Sequence, residues 1–210
     1  MNFTAFETRH ALAEALATQV LQTVRRKPSL VVSGGSTPLD FFKALKPKIA
    51  DLALTITLAD ERCVSPDHPD SNEKQVREEL LSSHHQFLSL LKPDISTSLQ
   101  TANLPWGAVV LGMGEDGHTA SLFPHHPDLS AALETKQYTL AVRGAPKPPP
   151  ERITLTPACL LSAQHLFVHI TGDAKRAVLE QAMQPGPIAD YPVRVFLQQT
   201  KTPLAVYWAP

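Results

Sequence analysis

The chain has 210 residues, of which 43% are hydrophobic, as expected for a single globular domain spanning residues 1–210. Its 19 basic and 20 acidic side chains leave a formal net charge of −1, which gives no support for a nucleic-acid or membrane-surface partner. The N-terminus lacks a signal-peptide pattern, and no stretch has the roughly 18 apolar residues that cross a bilayer. We therefore expect a soluble cytoplasmic protein in which Cys63 and Cys159 are reduced thiols.

The first predicted elements are a helix, a strand and a second helix. Apolar residues recur every four positions from Leu12 to Val24, and the basic run 25–27 suits a helix C-terminus. Residues 29–32 form a short apolar run, which predicts a strand. The glycine-containing segment 33–38 follows and leads into a helix with Pro38 in its first turn.

The rest of the chain continues this alternation. We predict strands over 52–58, 107–111, 138–142, 165–170 and 204–208, and helices over 71–81 and 174–183. Strands that alternate with helices indicate an α/β fold with a largely parallel sheet flanked by helices. The polar segments after the first, second, third and fifth strands should then meet at one rim of the sheet, where such folds bind ligands.

The segment Ser33-Gly34-Gly35-Ser36-Thr37-Pro38 is a candidate anion site. Its glycines allow close approach of a ligand, its hydroxyls can donate hydrogen bonds, and the following helix N-terminus favours negative charge. A tight turn with a hydroxyl cap explains the segment equally well. It matches neither a P-loop nor the dinucleotide-binding glycine pattern, so a nucleotide is not indicated.

Asp60-Glu61-Arg62 leaves the C-terminal end of the second strand, where charged residues are unlikely to be buried without partners. Arg62 could bind a phosphate through both arms of its guanidinium. Asp60 could hold a sugar hydroxyl or orient a water molecule. A solvated cluster of ion pairs is the alternative.

The loop Gly112–Thr119 carries the clearest chemical signal, because three glycines present Asp116 and His118 together at the end of a strand. A histidine with an ordinary pKa of about 6.5 can accept a proton from water at neutral pH. A neighbouring carboxylate can fix its tautomer. Such a pair suits lactone hydrolysis without a cofactor, although a histidine that caps the next helix would look similar.

Two further basic residues are candidate anion ligands. Arg152 follows a run of prolines, and Lys175 lies in the first turn of a predicted helix, where a cation is unfavourable unless an anion is near. The adjacent pairs His84-His85 and His125-His126 lack metal-binding spacing, so we predict no metal site. No serine-hydrolase elbow is present either.

These segments together resemble the 6-phosphogluconolactonase family. The matching stretches are SGGSTP (33–38), DERCV and DHPDSN (60–72), GMGEDGHTASLFP (112–124), PKPPPERITLT (146–156), ITGDAKR (170–176) and KTPLAVYWA (201–209). The resemblance implies hydrolysis of a phosphorylated sugar lactone in the pentose phosphate pathway. It also implies a Rossmann-like fold shared with sugar-phosphate isomerases and deaminases.

The resemblance also assigns residues. His118 matches the family's histidine base and Asp116 the carboxylate beside it. Arg62 and Lys175 match residues proposed to hold the 6-phosphate, Arg152 is a further candidate, and Asn72 matches a polar residue near the substrate. Residues 82–106 are the least family-like and receive no role.

Two other functions stay open at this point. Glucosamine-6-phosphate deaminases also carry Asp-Gly-His, but they continue with Ile-Ala-Phe-Asn-Glu, whereas residues 119–124 here contain no acid. Those enzymes also usually have tyrosine where this chain has Arg62. The second alternative is a non-catalytic sugar-phosphate sensor, which would typically lose the histidine base that is present here.

Overall fold

The computed structural model describes residues 1–101 and 104–210. The helices are α1 (Arg9–Arg26), α2 (Leu39–Ile49), α3 (Asn72–Glu79), α4 (Ile95–Thr101), α5 (Leu129–Glu134), α6 (Pro157–Leu160), α7 (Asp173–Met183) and α8 (Arg194–Leu197). The strands are β1 (Asn2–Ala5), β2 (Ser29–Val32), β3 (Thr55–Leu58), β4 (Asp60–Arg62), β5 (Gln86–Leu88), β6 (Trp106–Leu111), β7 (Thr139–Val142), β8 (Arg152–Leu155), β9 (Ala163–Thr171) and β10 (Leu204–Ala209).

A seven-stranded sheet forms the centre of the fold, in the order β1-β10-β9-β6-β2-β3-β5. All of its neighbouring strands are parallel. Its central strands β2 and β6 are buried along their whole length, as expected when helices cover both faces of a parallel sheet. The predicted α/β architecture is therefore confirmed.

The apolar stripe predicted for the first helix is buried against this sheet. Leu12, Leu16, Val20 and Val24 are all 0% exposed. Thr8 caps the helix by accepting a hydrogen bond from the Ala11 N–H at 3.1 Å, and Arg25 and Arg26 lie in the last turn. A capped N-terminus and a basic C-terminus match the helix dipole, so local sequence and packing favour the same element.

The strand order reverses between β2 and β6. From β2 the chain continues outward through β3 to β5, and from β6 it continues in the opposite direction through β9 to β10. Parallel sheets bind ligands beyond the carboxyl ends of the strands at such a switch point. The loops that follow β2 and β6 are joined there, because the Gly112 N–H donates to the Ser33 Oγ at 3.2 Å.

A second sheet of three antiparallel strands, in the order β4-β8-β7, was not predicted. Residues 60–62 were expected to leave strand β3 as a loop, and they instead form β4. Residues 138–142 were predicted as a strand of the parallel arrangement, and the strand that forms there, β7, belongs to this small sheet. Both differences arise because β8, directly after the proline run, supplies a pairing partner that local sequence does not reveal.

The two cysteines have different environments in the fold. Cys63 is an exposed free thiol, and Cys159 is a buried one that contacts the Trp106 indole N–H at 3.4 Å. Within residues 1–101 and 104–210, no helix is both long and apolar enough to cross a membrane.

Candidate active site

A cavity of about 500 Å³ opens at the switch point. Its wall is built from the loops after β2, β3, β6 and β9, as the sequence predicted for one rim of the sheet. All of the predicted site residues except Asp116 line it, and Asp116 lies directly behind His118; the lining ones are Gly34, Gly35, Ser36, Thr37, Asp60, Arg62, Asn72, His118, Arg152 and Lys175.

His118 and Asp116 form a hydrogen-bonded pair in the loop after β6. The His118 Nδ1 lies 2.5 Å from the Asp116 Oδ1, and the His118 backbone N–H also donates to that oxygen at 3.2 Å. Burial raises the pKa of the Asp116 carboxyl, but the hydrogen bonds and charge of His118 outweigh this effect and lower the pKa to about 2. A carboxylate ionised at neutral pH can accept a hydrogen bond from the Nδ1–H, which leaves the lone pair of Nε2 for a substrate or water.

Two glycines allow the loop to hold this pair. A Cβ on Gly114 would lie 2.2 Å from both the Cε1 and the Nδ1 of His118, so only glycine fits beside the ring. Gly117 has a φ of +78° and faces Tyr191 closely. The ring of Phe123 also packs against the ring of His118, with 5.0 Å between their centroids.

In the turn after β2, backbone groups that the sequence suggested for an anion are hydrogen-bonded to another part of the chain. Gly35 has a φ of +97°, and its N–H donates to the Gln75 Oε1 at 2.9 Å while its carbonyl accepts from the Gln75 Nε2 at 2.7 Å. A Cβ on Gly34 would lie 2.2 Å from the Asn72 Oδ1. The glycines therefore serve mainly to pack this turn against α3, and Ser36 and Thr37 keep their side chains at the cavity.

The three charged side chains of strand β4 point in two opposite directions, because side chains alternate along a strand. Asp60 and Arg62 face the cavity, and the Asp60 Oδ2 accepts from the Ser121 Oγ at 2.6 Å. Glu61 is 0% exposed and caps α3, accepting the backbone N–H groups of Asn72 at 2.8 Å and Glu73 at 2.6 Å. Burial raises the pKa of the Glu61 carboxyl, and these N–H donors oppose that rise.

Arg62 and Arg152 are opposite each other in the antiparallel pair β4–β8. The Arg62 Nη1 donates to the Asp70 carbonyl at 2.5 Å, and its buried Nε has no hydrogen-bond partner. Arg152 is 5% exposed, and burial followed by the charge of Arg62 lowers its pKa. Like charges in direct register are unfavourable unless an anion binds both.

Lys175 supplies positive charge on another wall of the cavity. Its Nζ donates to the Thr37 Oγ1 at 3.2 Å, which joins the first turn of α7 to the turn after β2. Burial lowers the pKa of Lys175. In the described part of the chain, none of Arg62, Arg152 and Lys175 forms an ion pair with a carboxylate. Three cations without an ion-pair partner therefore line the same cavity, together with the carboxylates of Asp60 and Glu115.

Comparison with known proteins agrees with this chemistry. The family described as glucosamine-6-phosphate isomerases/6-phosphogluconolactonase matches residues 4–208. The chain belongs to this family. Among curated relatives, the 6-phosphogluconolactonase of Rhizobium meliloti (strain 1021) is 39% identical over 100% of this chain and 99% of its own. That of Xylella fastidiosa (strain Temecula1) is 40% identical over 89% of this chain and 84% of its own.

Solved structures of this family share the fold. A 6-phosphogluconolactonase from Shewanella baltica OS155 has a TM-score of 0.93 at 36% identity, covering 100% of this chain and 98% of its own. A monomeric glucosamine-6-phosphate deaminase has a TM-score of 0.79 at 16% identity, covering 100% and 97%. The second likeness concerns the fold alone.

Several residues in the cavity wall or directly behind it were not singled out from the sequence. Lys147 adds a fourth cation, and its carbonyl accepts from the Arg152 Nη2 at 3.0 Å. Ser121 orients Asp60, and Glu61 holds α3 behind the site. His169 is buried in β9, where its signal was visible: it is the one polar residue in the apolar run 166–170.

Proposed function

We propose that this chain hydrolyses 6-phospho-D-glucono-1,5-lactone to 6-phospho-D-gluconate, the lactonase step of the oxidative pentose phosphate pathway, with residues 1–210 acting as one catalytic domain. One observation carries the proposal. A histidine whose Nδ1 is held by a carboxylate faces the same cavity as three cations without carboxylate partners. Such a cavity combines a base for water with a site for a phosphate.

The first chemical step is the activation of water. Asp116 holds the proton on the His118 Nδ1, so the Nε2 accepts a proton from a water molecule. The resulting hydroxide attacks the lactone carbonyl carbon, and the carbonyl oxygen becomes an oxyanion. The charge that develops on His118 is stabilised by the ionised Asp116 carboxylate at 2.5 Å.

The second step opens the ring. The tetrahedral intermediate collapses, the bond between the carbonyl carbon and the ring oxygen breaks, and the His118 Nε2 returns its proton to that oxygen. The product is the open hydroxy acid, and no other reactant is consumed. Asp60 and Asn72, held together by a bond of 3.0 Å from the Asn72 Nδ2 to the Asp60 carbonyl, would position the sugar hydroxyls.

The phosphate would be held by Arg62, Arg152 and Lys175, with the hydroxyls of Ser36 and Thr37 beside them. Arg152 commits its Nε to the Pro149 carbonyl at 2.7 Å and its Nη2 to the carbonyls of Lys147 and Pro148. Its remaining contribution to the phosphate is therefore through Nη1 and its charge. A bound dianion would relieve the repulsion between Arg62 and Arg152.

The family alone does not choose between lactonase and deaminase, because its description covers isomerases and lactonases alike. The lactonase is favoured by the 39% and 40% identical relatives. It is also favoured by the loop after His118: residues 119–124 contain no acid, and the Ser121 hydroxyl in that loop donates to the Asp60 carboxylate.

The test is to follow the decay of 6-phosphogluconolactone generated in situ, at a pH where spontaneous hydrolysis is slow. We expect the wild-type protein to accelerate the decay and His118→Ala to lose at least 100-fold in kcat. His10→Ala, which changes an exposed histidine on α1, is the matched control and should leave kcat unchanged. Near-normal turnover by folded His118→Ala would reject the base, and ammonia release from glucosamine 6-phosphate would favour the deaminase.

A further inference from the structure

His169 lies near the carboxyl end of β9, close to the first turn of α7, which contains Lys175. Its side chain is 4% exposed, and its ring stands edge-on to Phe41 of α2 at 6.2 Å. It lines the main cavity and also a smaller one of about 80 Å³ that adjoins it. The smaller cavity is bounded by Arg9, Ser36, Thr37, Asp40 and Thr171. His169 therefore stands in the wall between the two cavities.

The imidazole has no hydrogen-bond partner among residues 1–101 and 104–210. On its own face of the sheet, His169 has Phe167 two positions away along the strand, 3% exposed, and Tyr207 opposite it in β10. A neutral imidazole carries one donor and one acceptor, and it is towards the two cavities that His169 can use them. A histidine at this position is explained if its polar edge meets a ligand in the cavity.

The charges around His169 favour its neutral form. Burial, followed by the charge of Lys175, lowers its pKa to about 4. Charged residues that line the two cavities near His169 include Lys175 of α7, Arg9 of α1 and Asp40 of α2, and Glu115 lies near Lys175. A neutral imidazole can donate an N–H to an anion without adding to the repulsion among the nearby cations.

We infer that His169 is a further phosphate-binding residue, whose neutral imidazole donates a hydrogen bond to the phosphate beside Thr37 and Lys175. The Lys175 Nζ is already within 3.2 Å of the Thr37 Oγ1, so the three side chains converge on one end of the cavity. The inference rests on the proposed function in one respect, that the substrate carries a phosphate. It assigns His169 to binding and gives it no part in the proton transfers of His118.

The experiment uses inorganic phosphate as the probe, so that it does not depend on lactonase turnover. His169→Leu removes the donor, and His169→Asn keeps a donor of similar reach. We expect His169→Leu to weaken phosphate binding, measured by calorimetry, by about tenfold, and His169→Asn to restore most of it. His165→Leu, on the exposed part of the same strand, should bind phosphate as the wild type does.

Kinetics and NMR give independent readouts. With the phosphorylated lactone, His169→Leu should raise KM by a similar factor and leave kcat within about twofold. In the wild-type protein, the His169 imidazole signals should shift on titration with phosphate and saturate with the calorimetric Kd. Unchanged phosphate affinity in folded His169→Leu, or imidazole signals that ignore phosphate, would overturn the inference. Saturable shifts in a protein without lactonase activity would support it while rejecting the proposed function.

Discussion

Arg62 and Arg152 occupy directly opposite positions in the β4–β8 ladder, and neither forms an ion pair with a carboxylate in the described part of the chain. Such an arrangement costs stability in the empty protein and is favourable once a dianion binds between the two guanidinium groups. We therefore expect that removing one of the two charges weakens substrate binding but changes the stability of the fold little.

Arg62→Gln should raise KM for the phosphorylated lactone by roughly 10- to 100-fold, because a charge-assisted contact is lost. The Tm should change little, since the loss of the bond to the Asp70 carbonyl is offset by the removal of the like-charge pair. Steady-state kinetics and thermal unfolding measure the two effects. Arg25→Gln at the exposed end of α1 is the control, and a fall in Tm without a change in KM would contradict the prediction.

Asp116→Asn should lower kcat by about 10²- to 10⁴-fold with little change in KM. An amide can donate to the His118 Nδ1, which would place the ring proton on Nε2 and remove the base. The loss should be confined to turnover, so the affinity for inorganic phosphate should stay at the wild-type value. Equal losses in both quantities would point to a collapsed loop rather than to the wrong tautomer.

The Asp116 carboxylate also predicts a pH dependence of stability. Its pKa in the folded protein, about 2, lies below the ordinary value of 3.8. Its contribution is therefore present above pH 3.8 and is lost as the pH falls towards 2. The difference in Tm between wild type and Asp116→Asn should shrink over that window. If the difference in Tm stayed constant from pH 6 to pH 2.5, the pKa of Asp116 would not be lowered in the folded protein.

Gly114→Ala should reduce kcat by at least 100-fold, because its Cβ would lie 2.2 Å from the His118 ring and displace it. Gly112→Ala, in the same loop, is the matched control: the nearest atom to its Cβ is the Ser33 Cβ at 4.0 Å. Kinetics of both variants, with circular dichroism to check the fold, make the comparison. Equal activities would reject the close-packing role of Gly114.

Glu61→Gln should destabilise the protein by about 1–3 kcal/mol, since an amide NH₂ would face backbone N–H donors in a fully buried site. Denaturant unfolding measures the loss. Glu78→Gln, on the exposed side of α3, is expected to cost less than about 0.5 kcal/mol. If Glu61→Gln were as stable as the control, Glu61 would not be holding the N-terminus of α3.

The sequence by itself predicted the parallel sheet and the rim of the sheet at which the cavity lies. Local periodicity was enough to predict the buried strands at 29–32 and 107–111. It was also enough to predict the helix whose apolar stripe runs from Leu12 to Val24. The pairing of Asp116 with His118 was also local, because only Gly117 separates them in a loop that glycine makes tight. Residues of this kind interact over short stretches of chain, so their pattern is readable without the fold.

Only the tertiary structure decided which polar groups remain available to bind a ligand. Gly35 looked available to an anion, but Gln75, 40 residues away, occupies both its N–H and its carbonyl. Arg62 and Arg152 were separate candidates until the antiparallel register placed them opposite each other. His169 became a candidate ligand only when its burial and its lack of a partner were known. These relationships depend on strand register and on contacts between distant segments, which local propensity does not encode.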